Sequence, residues 1–366
     1  MYWLDCLQAE GINSTVLTCR WHPSWPDDFE LRGTRVCRLQ PPANTNWNES
    51  YFQRNVLNWL QANLSDVGWI YVDRIDSLAS VLLSKSNRLE KPILLRAGTF
   101  DSCVGLAPNA RCPLPMQIDI ARQAETVIVP SASMNKSMLQ HGVSASNLVC
   151  IDDLVPLPVS RDSEQQKLSL HALAKINSDF VHPEQTPLIV HFGHSQWGPL
   201  KETLQAICDL LDSGALIRMW IVNPGLPYDR IYEFLKDRGW HREILMFDSF
   251  DDIEALLSVA DLVWFSNPEE ALQYTLPATI SSGIPFLVKE HTDLEPAFGP
   301  GVLDCIYDSP TNLALQLHRW YAHPSAVARR VKTLQAELDA RRSTRHLIKQ
   351  WRSALDRRRG ADGRET

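Results

Sequence analysis

The sequence predicts an α/β protein of two doubly wound halves, each a parallel sheet with crossover helices. Short β-branched runs alternate with helical stretches along most of the 366 residues. That rhythm breaks once, over residues 156–187, a polar, proline-flanked segment that reads as a linker. The chain is also about two to three times the usual single-domain length, so two cores are expected rather than one.

Residues 2–10 read as a helix that Gly11 stops. Strands are then expected at Thr15–Thr18, Arg35–Leu39, Trp69–Val72, Ile93–Arg96, Thr126–Val129 and Leu148–Ile151, with helices over Tyr51–Leu64 and Ser77–Ser84. This half opens on a helix, without the strand and tight Gly-rich turn that normally begin a doubly wound sheet. The expectation is that this first strand is missing and that a reading frame continuing upstream of Met1 restores it. The linker carries one helix, near Glu164–Asn177. A second set of strands follows at Leu188–Phe192, Ile217–Val222, Ile244–Phe247, Leu262–Phe265, Pro285–Val288 and Leu303–Ile306. The expected division is 1–155, linker 156–187, 188–320, and basic C-terminal helices over 321–366.

That tail differs from the body. From Arg319 onward there are 13 Lys or Arg against 5 Asp or Glu, on a chain whose net charge is −7. Val327, Val331, Leu334 and Leu338 recur at helical spacing, and Leu347, Trp351 and Leu355 continue an apolar stripe. One reading is a helix packed on the body with a solvated basic face. The other is peripheral contact with an anionic membrane, at the inner membrane face, through Lys and Arg on one side and Trp on the other.

Composition excludes several classes. The apolar fraction of 44% and charged fraction of 22% are those of a soluble globular protein. The negative net charge argues against a whole-chain nucleic-acid binder. No apolar run approaches the roughly 20 residues of a membrane span, and the first residues lack a signal-peptide pattern. The eight cysteines are dispersed, with neither a disulfide framework nor zinc spacing, so a cytoplasmic address and no metal site are expected.

The most informative stretch is 260–300. An apolar strand, Leu262–Phe265, ends in the polar loop Ser266–Glu270, followed by a helix closed by Gly283 and the strand at Pro285. This resembles the nucleotide-sugar half of GT-B glycosyltransferases, specifically retaining family 4, whose pattern runs aspartate, strand, Pro-Ser, a Glu-Gly-Phe-Gly turn, a second Glu eight residues on, and Gly-x-Pro. Setting Gly283 and Pro285 on the Gly-x-Pro places the first Glu at Glu270 and the second at Ala278. Residues 191–207, 219–239 and 246–264 resemble further pieces of that half. Residues 4–18 and 125–158 resemble the family's first domain.

The resemblance implies a GT-B fold, two Rossmann-like domains with an interdomain cleft, and transfer of a hexose-like unit from a nucleotide sugar to a glycan, lipid-linked or small-molecule acceptor, as in polysaccharide biosynthesis. The nucleotide sugar would be substrate, with no cofactor and no metal. Such chemistry needs donors facing a diphosphate and carboxylates gripping sugar hydroxyls. By resemblance, Glu270 would be the catalytic contact to the sugar. Gly193, His194, Lys201, Asn223, Gly225, Ser266, Glu269 and Leu272 would line the donor site, with backbone amides over 271–276 facing the phosphates. Arg96 and Asp101 would lie on the acceptor side.

Each has a plainer role. Glu269 and Glu270 suit the positive end of the following helix, Lys201 suits a solvated helix face, and Asn223-Pro224-Gly225 suits a turn. The departures are Ala278 for the second Glu, His194 where the family has Arg, Lys201 late for its Lys, and the absent first strand. They support an alternative: a catalytically degenerate relative that binds glycan or a partner protein. A GT-B epimerase of nucleotide sugars ranks third, because no suitable acid–base set is visible.

Overall fold

In a computed structural model the chain forms two compact units, residues 1–154 with 344–366, and residues 155–343. The structure describes residues 2–20, 24–39, 49–97, 114–152, 155, 157–180, 182–183, 186–192, 197–222, 227–247, 252–272, 274–342 and 344–359; for Glu269 and Glu270 it describes the backbone only.

The first unit holds strands β1 (Thr15–Thr18), β2 (Asp28–Leu31), β3 (Thr34–Arg38), β4 (Ile70–Val72), β5 (Ile93–Arg96), β6 (Thr126–Val129) and β7 (Leu148–Cys150). They form two sheets, in the orders β1-β3-β2 and β4-β5-β6-β7. The second sheet is parallel throughout, as is the β1–β3 pair. Among the described residues no strand joins the two sheets. They share one core nonetheless, because Leu17 of β1 packs against the cluster containing Ile70, Val72, Leu95 and Val127. Helix Tyr2–Ala9 ends as its sequence demands: Gly11, at φ +78°, returns its N–H to Gln8 O.

Strand β2 has no counterpart in the sequence reading. It pairs antiparallel with β3 through the two-residue turn Arg32-Gly33, both at positive φ. Tight hairpins favour such turns because their twist matches the strands. Arg is an unusual choice for the first position, and β2 itself is polar and largely exposed, so neither signal reads as a hairpin.

The second unit is a six-stranded parallel sheet of β8 (Leu188–Phe192), β9 (Arg218–Val222), β10 (Ile244–Phe247), β11 (Leu262–Phe265), β12 (Phe286–Lys289) and β13 (Ile306–Tyr307), ordered β10-β9-β8-β11-β12-β13. β8 and β11 are buried at every position, as expected of central strands covered on both faces. The segment read as a linker carries helix Ser163–Ile176, whose Leu173 lies in this unit's core. The strand expected at Leu303–Ile306 is mostly a 3-10 helix, Pro300–Cys305. Gly299 at φ +93° turns the chain and Pro300 opens the helix, leaving only Ile306 and Tyr307 to pair with β12.

The basic tail divides between the units. Helix Pro324–Arg341 buries Val331, Leu334 and Leu338 in the second. Helix Thr344–Arg359 belongs to the first, where Leu347, Trp351 and Ala354 pack on Leu94, Ile128 and Ile151. Trp351 meets Tyr71 edge-on at 5.4 Å, and Arg352 bonds the carboxylate and carbonyl of Glu10. With Leu347 1% and Trp351 6% exposed, the apolar side expected for membrane contact is spent on packing. No described helix is long and apolar enough to cross a membrane.

Candidate functional site

The strand order fixes where a ligand site should lie in the second unit. From β8 the chain winds outward through β9 and β10, then crosses back to β11 on the other side of β8 and winds out through β12 and β13. The winding direction reverses between β8 and β11. Open α/β sheets bind ligands outside the carboxyl ends of the two strands that flank such a reversal. The loop leaving β11 begins at Ser266 and leads through helix Pro268–Ala271 to helix Thr275–Ser281.

The base of this loop is fixed on two sides. The Tyr307 hydroxyl donates to the carbonyl of Phe265, the last residue of β11, at 3.3 Å, and accepts the Trp264 indole N–H at 2.9 Å. Burial pushes the Tyr307 phenol up, so it stays protonated and able to donate. On the other side His191 Nε2 lies 2.7 Å from Ser266 Oγ. His191 is completely buried, and desolvation holds its pKa down at about 3. Beyond the loop, Gly283 at φ +66° and Ile284 close helix Thr275–Ser281 through bonds to Ile280 and Thr279, which accounts for the glycine.

Of the residues singled out in the sequence, the structure brings Ser266, Glu269, Glu270 and Leu272 into one loop at this edge by chain connectivity. Leu272 ends helix Pro268–Ala271 with its side chain against the core. Lys201 is exposed on helix Trp197–Asp212, its ammonium 5.9 Å from the ring centre of Phe234 on helix Tyr228–Arg238. Arg96 ends β5 in the first unit, 3.7 Å from Asp73. Gly193, His194, Asn223, Gly225 and Asp101 lie outside the described residues.

Ala278 is 2% exposed within the core that contains Leu276, Ile280 and Phe286. The position matched to the second Glu is therefore a packing position. Asp261, the aspartate before β11, accepts the Leu188 N–H at 2.9 Å and so ties β11 to β8 at the opposite edge. A groove of about 670 Å³ opens at that same amino edge, lined in part by Arg161, Lys167, His182 and Asp261, away from the Ser266 loop. Among the described residues no group of three His, Cys, Asp or Glu is placed to hold a metal.

Sequence reading missed the roles of His191 and Tyr307. The available signal was a histidine inside the otherwise apolar run Leu188–Phe192, at a position a covered parallel strand normally gives to an apolar side chain.

No family model matches the chain, and no curated protein matches it in sequence. Solved structures do. The chain is similar to a sucrose-phosphate synthase from Thermosynechococcus elongatus, with a TM-score of 0.71 at 15% identity over 98% of this chain and 92% of that one. It is similar to HepE from Anabaena in complex with UDP and glucose, with a TM-score of 0.64 at 15% identity over 89% and 87%. WaaG, a glycosyltransferase involved in lipopolysaccharide biosynthesis, gives 0.60 at 12% identity over 92% and 90%. These likenesses span nearly the whole chain and establish its fold: GT-B, with Rossmann-like α/β domains.

Proposed function

We propose that this protein is a glycosyltransferase that takes a nucleotide sugar as donor at the carboxyl edge of β8 and β11. The observation that carries the reading is the coincidence of that sheet reversal with the Ser266–Leu272 loop, in a fold similar to HepE, whose structures include complexes with UDP and with UDP-glucose. A UDP-sugar is the donor class this favours. In this reading Glu270 meets the sugar hydroxyls, Ser266, Glu269 and the 271–276 backbone line the donor, and Gly193, His194, Lys201, Asn223 and Gly225 complete the site. Arg96 and Asp101 serve a glycan, lipid-linked or small-molecule acceptor. Stereochemistry is retained, as in family 4.

Any membrane contact of helix Thr344–Arg359 is electrostatic, through exposed side chains such as Arg345 and Lys349. One observation favours the second reading, a non-catalytic glycan- or partner-binding protein. With Ala278 in the core, that position offers no carboxylate for the ribose. Incubation of the purified protein with a panel of UDP-, GDP- and ADP-hexoses separates the two. Release of nucleoside diphosphate by the wild type, lost in Glu270→Ala, supports transfer, whereas no turnover and no calorimetric binding of any donor leaves the non-catalytic reading.

A further inference from the structure

His191 is an anomaly in its strand. It lies in β8, opposite Trp264 of β11 in the parallel register, its ring 4.6 Å from the Trp264 ring and none of its surface exposed. A polar group buried between covered strands costs free energy unless it is hydrogen-bonded. Its Nδ1 has no hydrogen-bond partner among the described residues. An apolar side chain would carry no such polar atom. What the imidazole has that a phenyl lacks is the 2.7 Å hydrogen bond between Nε2 and Ser266 Oγ. Ser266 is the first residue past β11, so the bond joins a central strand to the start of the loop on its neighbour. The helix that follows opens on Pro268, which has no backbone N–H to fasten the entry. Tyr307 holds the strand up to Phe265, and the His191 bond carries the anchoring one residue further, into the loop.

We propose that His191 is a positioning residue, tying the Ser266 end of this loop to β8 and thereby setting the Ser266–Leu272 segment at the carboxyl edge. Its consequence for donor binding rests on the functional reading above; its effect on the loop does not. The imidazole is uncharged at neutral pH, so its contact with Ser266 is a hydrogen bond and not an ion pair.

Hydrogen exchange by mass spectrometry on the full chain tests this without any ligand. The variants are His191→Phe, which removes the ring nitrogens but is larger than the imidazole, His191→Gln, which offers an amide group in its place, and Ser266→Ala, which leaves the core intact. Exchange over 266–275 should rise about tenfold in His191→Phe and Ser266→Ala and stay near wild type in His191→Gln, with β9 unchanged in all three. Unaltered exchange in Ser266→Ala, which decides the matter if His191→Phe does not fold, overturns the proposal, as does a His191→Gln that loosens the loop like His191→Phe. Calorimetry with UDP runs in parallel. A wild type that does not bind UDP defeats the UDP-donor reading while the exchange data still judge the anchor. If the wild type binds, affinity should fall about tenfold in each variant with a loosened loop, and equal affinity removes the positioning role.

Discussion

At Ala278, the position that spacing matched to the family's second Glu, the structure shows a buried methyl group. Aligned with a family carboxylate, the residue invites Ala278→Glu as a way to strengthen donor binding. Its methyl group instead faces the core, so the added carboxylate would be overpacked and desolvated. Ala278→Glu is expected to cost about 3 kcal/mol or more, seen as a lower urea midpoint with no gain in UDP affinity by calorimetry. His191 makes a prediction of the opposite kind, about pH. Its folded pKa of about 3 lies below its ordinary value of 6.5, so the unfolded chain binds the extra proton first. Stability from this group is present above pH 6.5 and lost as pH falls toward 3. Between pH 7 and pH 5 the wild type should lose about 2 kcal/mol more than His191→Gln, in which nothing titrates at this position. Equal losses in urea titrations would mean the imidazole is hydrated in the folded state.

Among the elements, helix Thr344–Arg359 has its apolar side packed on the first unit. Trp351 sits against Tyr71 and over β5 and β6 through Leu94 and Ile128. Trp351→Ala should cost about 3–5 kcal/mol, raise hydrogen exchange in β6 and β7, and leave β8 and β9 unchanged. Most strands were legible because covered parallel strands are uninterrupted apolar runs; β1, β5, β6, β8, β10 and β11 fall where periodicity puts them. β2 was not legible because its stability comes from pairing across Arg32-Gly33 rather than from an apolar face. The Leu303 strand misled because an apolar pattern does not register the turn imposed by Gly299-Pro300. For the candidate site, chain connectivity made the Ser266–Leu272 loop legible. The His191–Ser266 contact was not, since it joins residues 75 positions apart.

For the whole molecule, the two units differ in how the sequence supplies them. The second is one continuous segment, 155–343, whereas the first needs 1–154 together with 344–366. A fragment of residues 155–343 should therefore fold cooperatively on its own. Residues 1–154 alone would leave Leu94, Ile128 and Ile151 without the side chains that cover them. That fragment should show dispersed amide resonances only when a 344–366 peptide is added or fused. A well-folded 1–154 without the peptide would show that the helix is dispensable to this core.

The borrowed helix also orders events in time. A ribosome making this protein finishes residue 154 about 200 residues before it reaches Arg359, a delay of roughly 10–40 s at usual elongation rates. Through that interval the first-made unit waits with an uncovered apolar face while the later-made unit, complete in one stretch, can close. Synthesis and folding therefore run in opposite order here. The nascent chain's most exposed period belongs to the earlier-made of the two units, which is where a chaperone that shields apolar surface would be needed.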